Sequence, residues 1–362
     1  MNSIEKDLSM AIRNLRIPLA LLIVIGHSDI LHFPLMSQGG TVEYDQAIIT
    51  YPITYLCRVI FAPANSLFFA ISGYLFFSSL DSFGINEYRT KIRKRFHTLF
   101  LPYVIWQLIF LAPSILGALM GRHDYSVIWF VQSIWSTPDQ PIPADPPLWF
   151  LRDLMVCMVM SPVYYAILKR KLVGIIFLLS SVSLWLFDIW PLPLLNGFSS
   201  LSIVFFGLGA FVGIQKLKIS DPLLRYGGGI SLLFALITII DLLTTKYIPQ
   251  SGDNVKVVCI SQVNNLVILL ACVVYPYLAI RFSNIFSKLD IGGSFVIYAS
   301  HWGFLLVINV LITRWCPIEI SSITAMFLFA LRVSFAFFGA WLVGKLISHN
   351  SVLLKLLAGG RI

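Results

Sequence analysis

The sequence predicts an all-α, polytopic integral membrane protein of about ten transmembrane helices in one bundle, and three observations predict it. Of its 362 residues, 58% are hydrophobic and only 12% charged, with a mean hydropathy of +0.84, far from the balance of a soluble globular domain. Apolar stretches near the length needed to cross a hydrocarbon layer follow one another along the whole chain. Basic residues gather in alternate connections between those stretches, as expected when one side of a membrane retains them.

Taken in order, the apolar cores run Ile17–Leu31, Val59–Leu80, Leu99–Met120, Leu154–Ile167, Leu172–Phe187, Phe198–Ile214, Tyr226–Leu243, Val258–Ile280, Phe295–Ile312 and Ile323–Ile347, the fourth and sixth being short. Lys6, Arg13 and Arg16 precede the first; Arg89, Lys91, Arg93, Lys94 and Arg95 separate the second from the third; Lys169, Arg170 and Lys171 separate the fourth from the fifth. Lys216, Lys218 and Arg225 follow the sixth, Arg281 and Lys288 the eighth, and Lys345, Lys355 and Arg361 the tenth. Both termini are then cytoplasmic and the chain is a multi-pass protein of the inner or plasma membrane. The intervening connections hold acids and prolines, from Glu43 and Asp45 to Glu319.

A signal peptide would also begin with a basic stretch, but no small-x-small cleavage site follows His27, so the first segment reads as a retained span. No outer connection is long enough for a separate globular domain. Residues 1–362 therefore read as a single transmembrane domain with no fused soluble module. The longest outer stretch, Gly121 to Pro147, carries Trp129, Trp135 and a proline run, and reads as a part-helical lid at headgroup depth. No internal repeat of the kind that marks inverted transporter halves is visible.

The net charge of +9 lies in short connections and not on one soluble face, which points to anionic lipid or a phosphorylated ligand before nucleic acid. The five cysteines, Cys57, Cys157, Cys259, Cys272 and Cys316, show no C-x-x-C spacing and read as small core residues, with no metal site implied.

The polar residues inside apolar spans carry the functional reading. Arg16 and His27 are eleven residues apart, which on a helix returns them to one face about 16 Å apart along the axis. An ionisable group inside the hydrocarbon layer is costly and is usually retained for function. The alternative is a buried histidine satisfied by a neighbouring carbonyl, and His27 alone does not decide between them. Ser72 and Gly73 suit close helix packing. Arg93, Lys94 and Arg95 before the third span are either a positive-inside anchor or a phosphate-binding mouth. Arg152 and Asp153, just after Trp149, are helix neighbours that do not face each other and so call for separate partners, either in an outer-facing polar pocket or as anchors at the membrane interface. Tyr298 and His301 share a face near the start of the ninth span, and Arg332 in the tenth either faces the protein interior or snorkels to the membrane surface.

In this order, Arg16-x10-His27, Ser66-Leu-Phe-Phe-Ala-Ile-Ser72-Gly73-Tyr74, the basic cluster running into Leu101-Pro102-Tyr103, Leu148-Trp149-Phe150-Leu151-Arg152, Phe205-Phe206-Gly-Leu-Gly209 and Tyr298-Ala-Ser-His301 resemble the membrane-bound acyltransferase 3 family. The resemblance spans nearly the whole chain. It implies an integral membrane O-acyltransferase that moves an acyl group, most often acetyl, from cytoplasmic acyl-CoA to a hydroxyl of a surface or exported glycan or a lipid-linked sugar. No permanently bound cofactor is implied; acetyl-CoA would be the donor substrate, and the acceptor glycan and membrane lipid the partners.

The family's conserved basic residue and histidine fall on Arg16 and His27, which the resemblance makes catalytic. Its Arg-x-x-Arg motif places its first arginine on Arg95, while Thr98 stands at the second position and Arg93 and Lys94 supply charge out of register. Arg93, Lys94 and Arg95 are accordingly the expected contacts to the donor, and Trp149, Arg152, Asp153, Tyr298 and His301 the expected acceptor contacts. Histidine is the natural base for a sugar hydroxyl attacking a thioester, directly or through a covalent acyl intermediate. The competing reading is a transporter or flippase for a glycan, lipid or small anion, its pathway lined by His27, Arg152, Asp153, His301 and Arg332.

Overall fold

The computed structural model describes residues 3–28, 50–121, 126–136, 142–189, 197–247, 254–289, 292–315 and 322–361, which are mostly helical with no strand among them. The helices are α1 (Ser3–His27), α2 (Thr50–Phe77), α3 (Ile85–Arg95), α4 (Leu101–Leu119), α5 (Val127–Trp135), α6 (Trp149–Val159), α7 (Ser161–Leu168), α8 (Lys171–Leu186), α9 (Ser200–Ile214), α10 (Ser220–Tyr247), α11 (Asn254–Arg281), α12 (Ser283–Phe286), α13 (Ser294–Trp315), α14 (Ser322–Ser348) and α15 (Ser351–Ala358). The expected end of the first span at Leu31, the acids Glu43 and Asp45, residues 122–125 and 137–141 of the expected lid, and Cys316 lie outside the described residues, as do the side chains of Cys57 and Cys259.

Each expected apolar segment falls on a helix, but length separates them. Seven helical stretches among the described residues are long and apolar enough to cross a membrane: parts of α1, α2, α10, α11, α13 and α14, and the continuous α3–α4 rod from Ile85 to Leu119. The pair α6 and α7 makes an eighth if its two halves, bent by 58°, are one span. The break falls at Met160 because Pro162, at the start of α7, has no N–H for the turn before it. With 16 and 15 residues, α8 and α9 are short of a full span, so ten crossings require their polar ends to reach the surface.

Helix α1 is the central post of the bundle. Ala11, Leu15, Leu19 and Ile23, four residues apart, are buried in a large core shared with α2, α4, α6 and α9. Ile17, Ala20 and Val24 face a second core built with α13 and α14. Helices α2 and α9 meet through backbone: a methyl group on Gly209 would stand 1.8 Å from the Ala70 carbonyl oxygen, and one on Gly73 would stand 2.2 Å from that of Phe206. The Ser72-Gly73 segment is thus a packing seam, as small residues provide in membranes. Two lysines close the end of α2: Lys91 donates to the Phe76 carbonyl and, at 3.1 Å, to Ser79 Oγ, and Lys216 donates to the Ser78 carbonyl at 2.6 Å. Cations suit the carbonyl end of a helix.

Candidate active site

The two histidines that lie 274 positions apart in sequence meet in the bundle. His301 Nε2 stands 3.2 Å from His27 Nδ1, with ring centroids 5.2 Å apart. The first turns of α13 aim the other nitrogen of His301 back along its own helix, 2.7 Å from the Tyr298 carbonyl oxygen and 3.1 Å from that of Ile297. His301 is fully buried, whereas the last turn of α1 leaves His27 half-buried. Every polar atom of the His301 ring is engaged by protein, so of the pair His27 is the one that can meet a substrate.

The His27 ring packs edge-on against Phe61, with centroids 5.1 Å apart, and against Trp302 at 5.8 Å. Gly26 permits the first contact, because a side chain there would occupy the space of the Phe61 ring. Arg332, which is buried, donates from Nη1 to the Ser28 carbonyl at 2.7 Å and ties α14 to the end of α1.

Three arginines from distant parts of the chain line a cavity of about 290 Å³: Arg16 of α1, Arg95 of α3 and Arg361 beyond α15, with Ser72, Ser294 and Tyr298. Among the described residues, no acidic side chain lines it. Local chemistry explains how Arg361 arrives there. Between α3 and α4 the chain makes one π-helical turn, Phe96–Phe100, just before Pro102. A proline has no N–H for the carbonyl one turn back, that of Thr98, and this carbonyl accepts from Arg361 Nη2. Gly359 lies against the same carbonyl in a left-handed conformation, φ +61°, where added side-chain bulk would stand 2.4 Å from its oxygen. The indole of Trp106 donates to the Leu357 carbonyl at 2.9 Å, and the Arg361 guanidinium lies 4.9 Å from the Phe295 ring centroid. Burial, with Arg95 and Arg16 nearby, pulls Arg361 below the ordinary guanidinium range, to about 10. Three cations held together without a lining acid form an anion site.

The structure distributes the other expected residues unevenly. Arg93 and Lys94 are exposed and do not line the cavity, whereas Arg95 does. Tyr298 joins the two halves of the site: it lines the arginine cavity, its ring centroid is 6.3 Å from that of His301, and its hydroxyl donates to the Pro147 carbonyl. His27 is not among the cavity's lining residues; on α1 the wall runs to Leu19, eight residues and roughly 12 Å short of it. Trp149 is half-buried against Phe69.

Arg152 and Asp153 correct the expectation of separate partners. The guanidinium folds back on its sequence neighbour, Nε and Nη2 each 3.0 Å from Asp153 Oδ1, and Nη1 also donates to the Trp135 carbonyl and Ser136 Oγ. Asp153 Oδ2 accepts from the Ser199 backbone N–H at 3.2 Å. The long, flexible arginine side chain reaches what adjacent Cβ positions do not, and both groups are buried and used in joining α5, α6 and α9.

Two further polar residues were not singled out by sequence. Gln107 and Asp145 are fully buried, and Gln107 Oε1 accepts from the Asp145 backbone N–H at 2.8 Å. Gln107 Nε2 and both Asp145 carboxylate oxygens have no hydrogen-bond partner among the described residues. Buried groups of this kind call for a polar ligand or water. A glutamine in an apolar span was the available signal for one of them; Arg361 carried none, since a basic residue after the last span reads as an ordinary topological charge.

Residues 11–344 match the family model described as an acyltransferase domain, the third of that designation. The chain belongs to the acyltransferase 3 family. The succinoglycan biosynthesis protein ExoH of Rhizobium meliloti (strain 1021) is a relative, 27% identical over 238 residues that cover 62% of this chain and 60% of ExoH. The chain thus spans less than two thirds of the length of that relative. No solved structure matches the chain. The matched span of the acyltransferase 3 model includes Arg16, His27, Arg95 and His301 and stops short of Arg361.

Proposed function

We propose that this acyltransferase 3 protein transfers an acyl group from acyl-CoA, most simply acetyl-CoA, to a hydroxyl of an exported or surface polysaccharide. The observation that carries the proposal is the contact between half-buried His27 and buried His301, joined through Tyr298 to a cavity ringed by Arg16, Arg95 and Arg361. Family membership and the relative named for succinoglycan biosynthesis support acyl transfer to a glycan.

In this reading the arginine cavity opens to the cytoplasm, consistent with both termini lying on that side, and its guanidinium groups hold the donor phosphates. The thioester arm passes Tyr298 toward His27. The acceptor approaches from the side of the Pro147 carbonyl that Tyr298 engages, two residues from Asp145, whose N–H is bonded to Gln107. Half-buried His27 takes the hydroxyl proton as the oxygen attacks the thioester carbonyl; the C–S bond breaks, and the departing thiolate recovers a proton from the imidazolium.

The transporter reading calls for matched helix breaks in two halves, and among the described residues a sharply bent pair occurs once, at α6 and α7. The test is release of free CoA from acetyl-CoA by purified protein given the polysaccharide of its own host. His27→Ala should abolish release while the protein still inserts and purifies; release at the native rate would remove His27 from the chemistry.

A further inference from the structure

From the His27–His301 contact we infer that His301 is a positioning residue that fixes the tautomer of His27 and so makes Nε2 of His27 the proton-accepting atom. The inference rests on the reading of His27 as the base and adds which of its nitrogens acts and what selects it.

Carbonyl oxygens only accept hydrogen bonds, and His301 Nδ1 stands 2.7 Å and 3.1 Å from two of them. Nδ1 of His301 therefore carries a hydrogen, and in the neutral ring its Nε2 presents a lone pair. That lone pair faces His27 Nδ1 at 3.2 Å, a hydrogen-bond distance only if His27 Nδ1 is the protonated nitrogen. The Ile23 carbonyl, one turn back on α1, also lies within hydrogen-bond reach of the His27 ring, as Ile297 does for His301. With its hydrogen on Nδ1, neutral His27 has its lone pair on Nε2, and His301, with no exposed surface, acts only through it.

The wrong tautomer in a histidine-based acyl transfer is expensive, about 10⁴-fold in a well-known hydrolase case. The arrangement here differs in that the orienting acceptor is a neutral imidazole, itself oriented by backbone carbonyls of α13. Replacing His301 with leucine removes the imidazole acceptor and leaves the Ile23 carbonyl alone to hold the Nδ1 hydrogen, so the Nε2-protonated form gains population. Glutamine in its place can still offer a side-chain carbonyl.

The test is nitrogen NMR of purified protein carrying ¹⁵N-labelled histidine, with the His27 and His301 signals assigned by loss in His27→Gln and His301→Gln. The native spectrum should show Nδ1 protonated and Nε2 unprotonated at His27. His301→Leu should shift His27 toward the Nε2-protonated form and lower kcat about 100-fold with donor KM unchanged, and His301→Gln should retain the native signature and most of kcat. A hydrogen on Nε2 of His27 in the native protein, or a His301→Leu spectrum identical to native at His27, would overturn the inference. The spectrum requires no turnover, so the tautomer can stand if acyl transfer proves independent of His27, and it can fail if transfer depends on it.

Discussion

Gly26 and Phe61 are in contact because Gly26 has no side chain: a methyl group there would stand 2.1 Å from Phe61 Cγ and 2.3 Å from Cδ2, and this ring is the one that packs edge-on to His27. The spacing of α1 against α2 at the histidine is therefore set by a missing methyl. Gly26→Ala should cost about 1–3 kcal/mol of stability by overpacking and lower acyl transfer by displacing the Phe61 ring. Phe61→Ala in the same chain should recover part of the stability loss. A double-mutant cycle on Tm and kcat measures this, and additive losses would mean that the two residues do not compete for the same space.

Arg361 should matter for the donor and little for the acceptor. Arg361→Gln removes one of three cations around the cavity and should raise donor KM about 10–100-fold, the scale of a lost charge-assisted hydrogen bond or two, with acceptor KM unchanged. The rise in Tm that CoA confers should shrink in step.

Arg152 and Asp153 should behave as structural residues. Asp153→Asn leaves the Arg152 guanidinium short of its counter-charge in a buried site, a change worth about 3–5 kcal/mol. The expected result is low yield and a lower Tm in detergent, with the donor and acceptor KM of the surviving protein unchanged. A raised acceptor KM at native Tm would instead return the pair to the binding site.

Gly209→Ala tests the seam between α2 and α9. Its added methyl would meet the Ala70 carbonyl at 1.8 Å, and because the obstacle is backbone it cannot rotate away. The helices must separate, and monodisperse protein on size-exclusion chromatography should be largely lost. Gly229→Ala, which meets open space on α10, is the matched control and should behave as native.

How much of this was legible in the residues follows from the physics involved. The all-α membrane architecture was, because apolar length and alternating basic connections are local properties of the chain. His27 and Arg16 were visible as polar groups at helical spacing in an apolar run, and Arg332 as a charge that either turns inward or snorkels. The pairing of His27 with His301 was not, since no local pattern encodes which of many helices are neighbours. Arg152 with Asp153 was misread by Cβ geometry because a guanidinium on a flexible side chain reaches beyond it. Arg361 was invisible for another reason: its place depends on a carbonyl left open by Pro102, a consequence that appears only once the π-helical turn is formed.

The central claim is that a half-buried imidazole at the end of α1 lets an alcohol on a glycan react with a thioester. The measurement that tests it most directly is the acyl-ester content of the exported polysaccharide by mass spectrometry, in cells carrying either the native protein or His27→Ala at matched membrane levels. Acyl esters present with the native protein and absent with His27→Ala, a rate loss of about 10²–10⁴-fold, are the predicted result. Equal ester content in the two strains would contradict it.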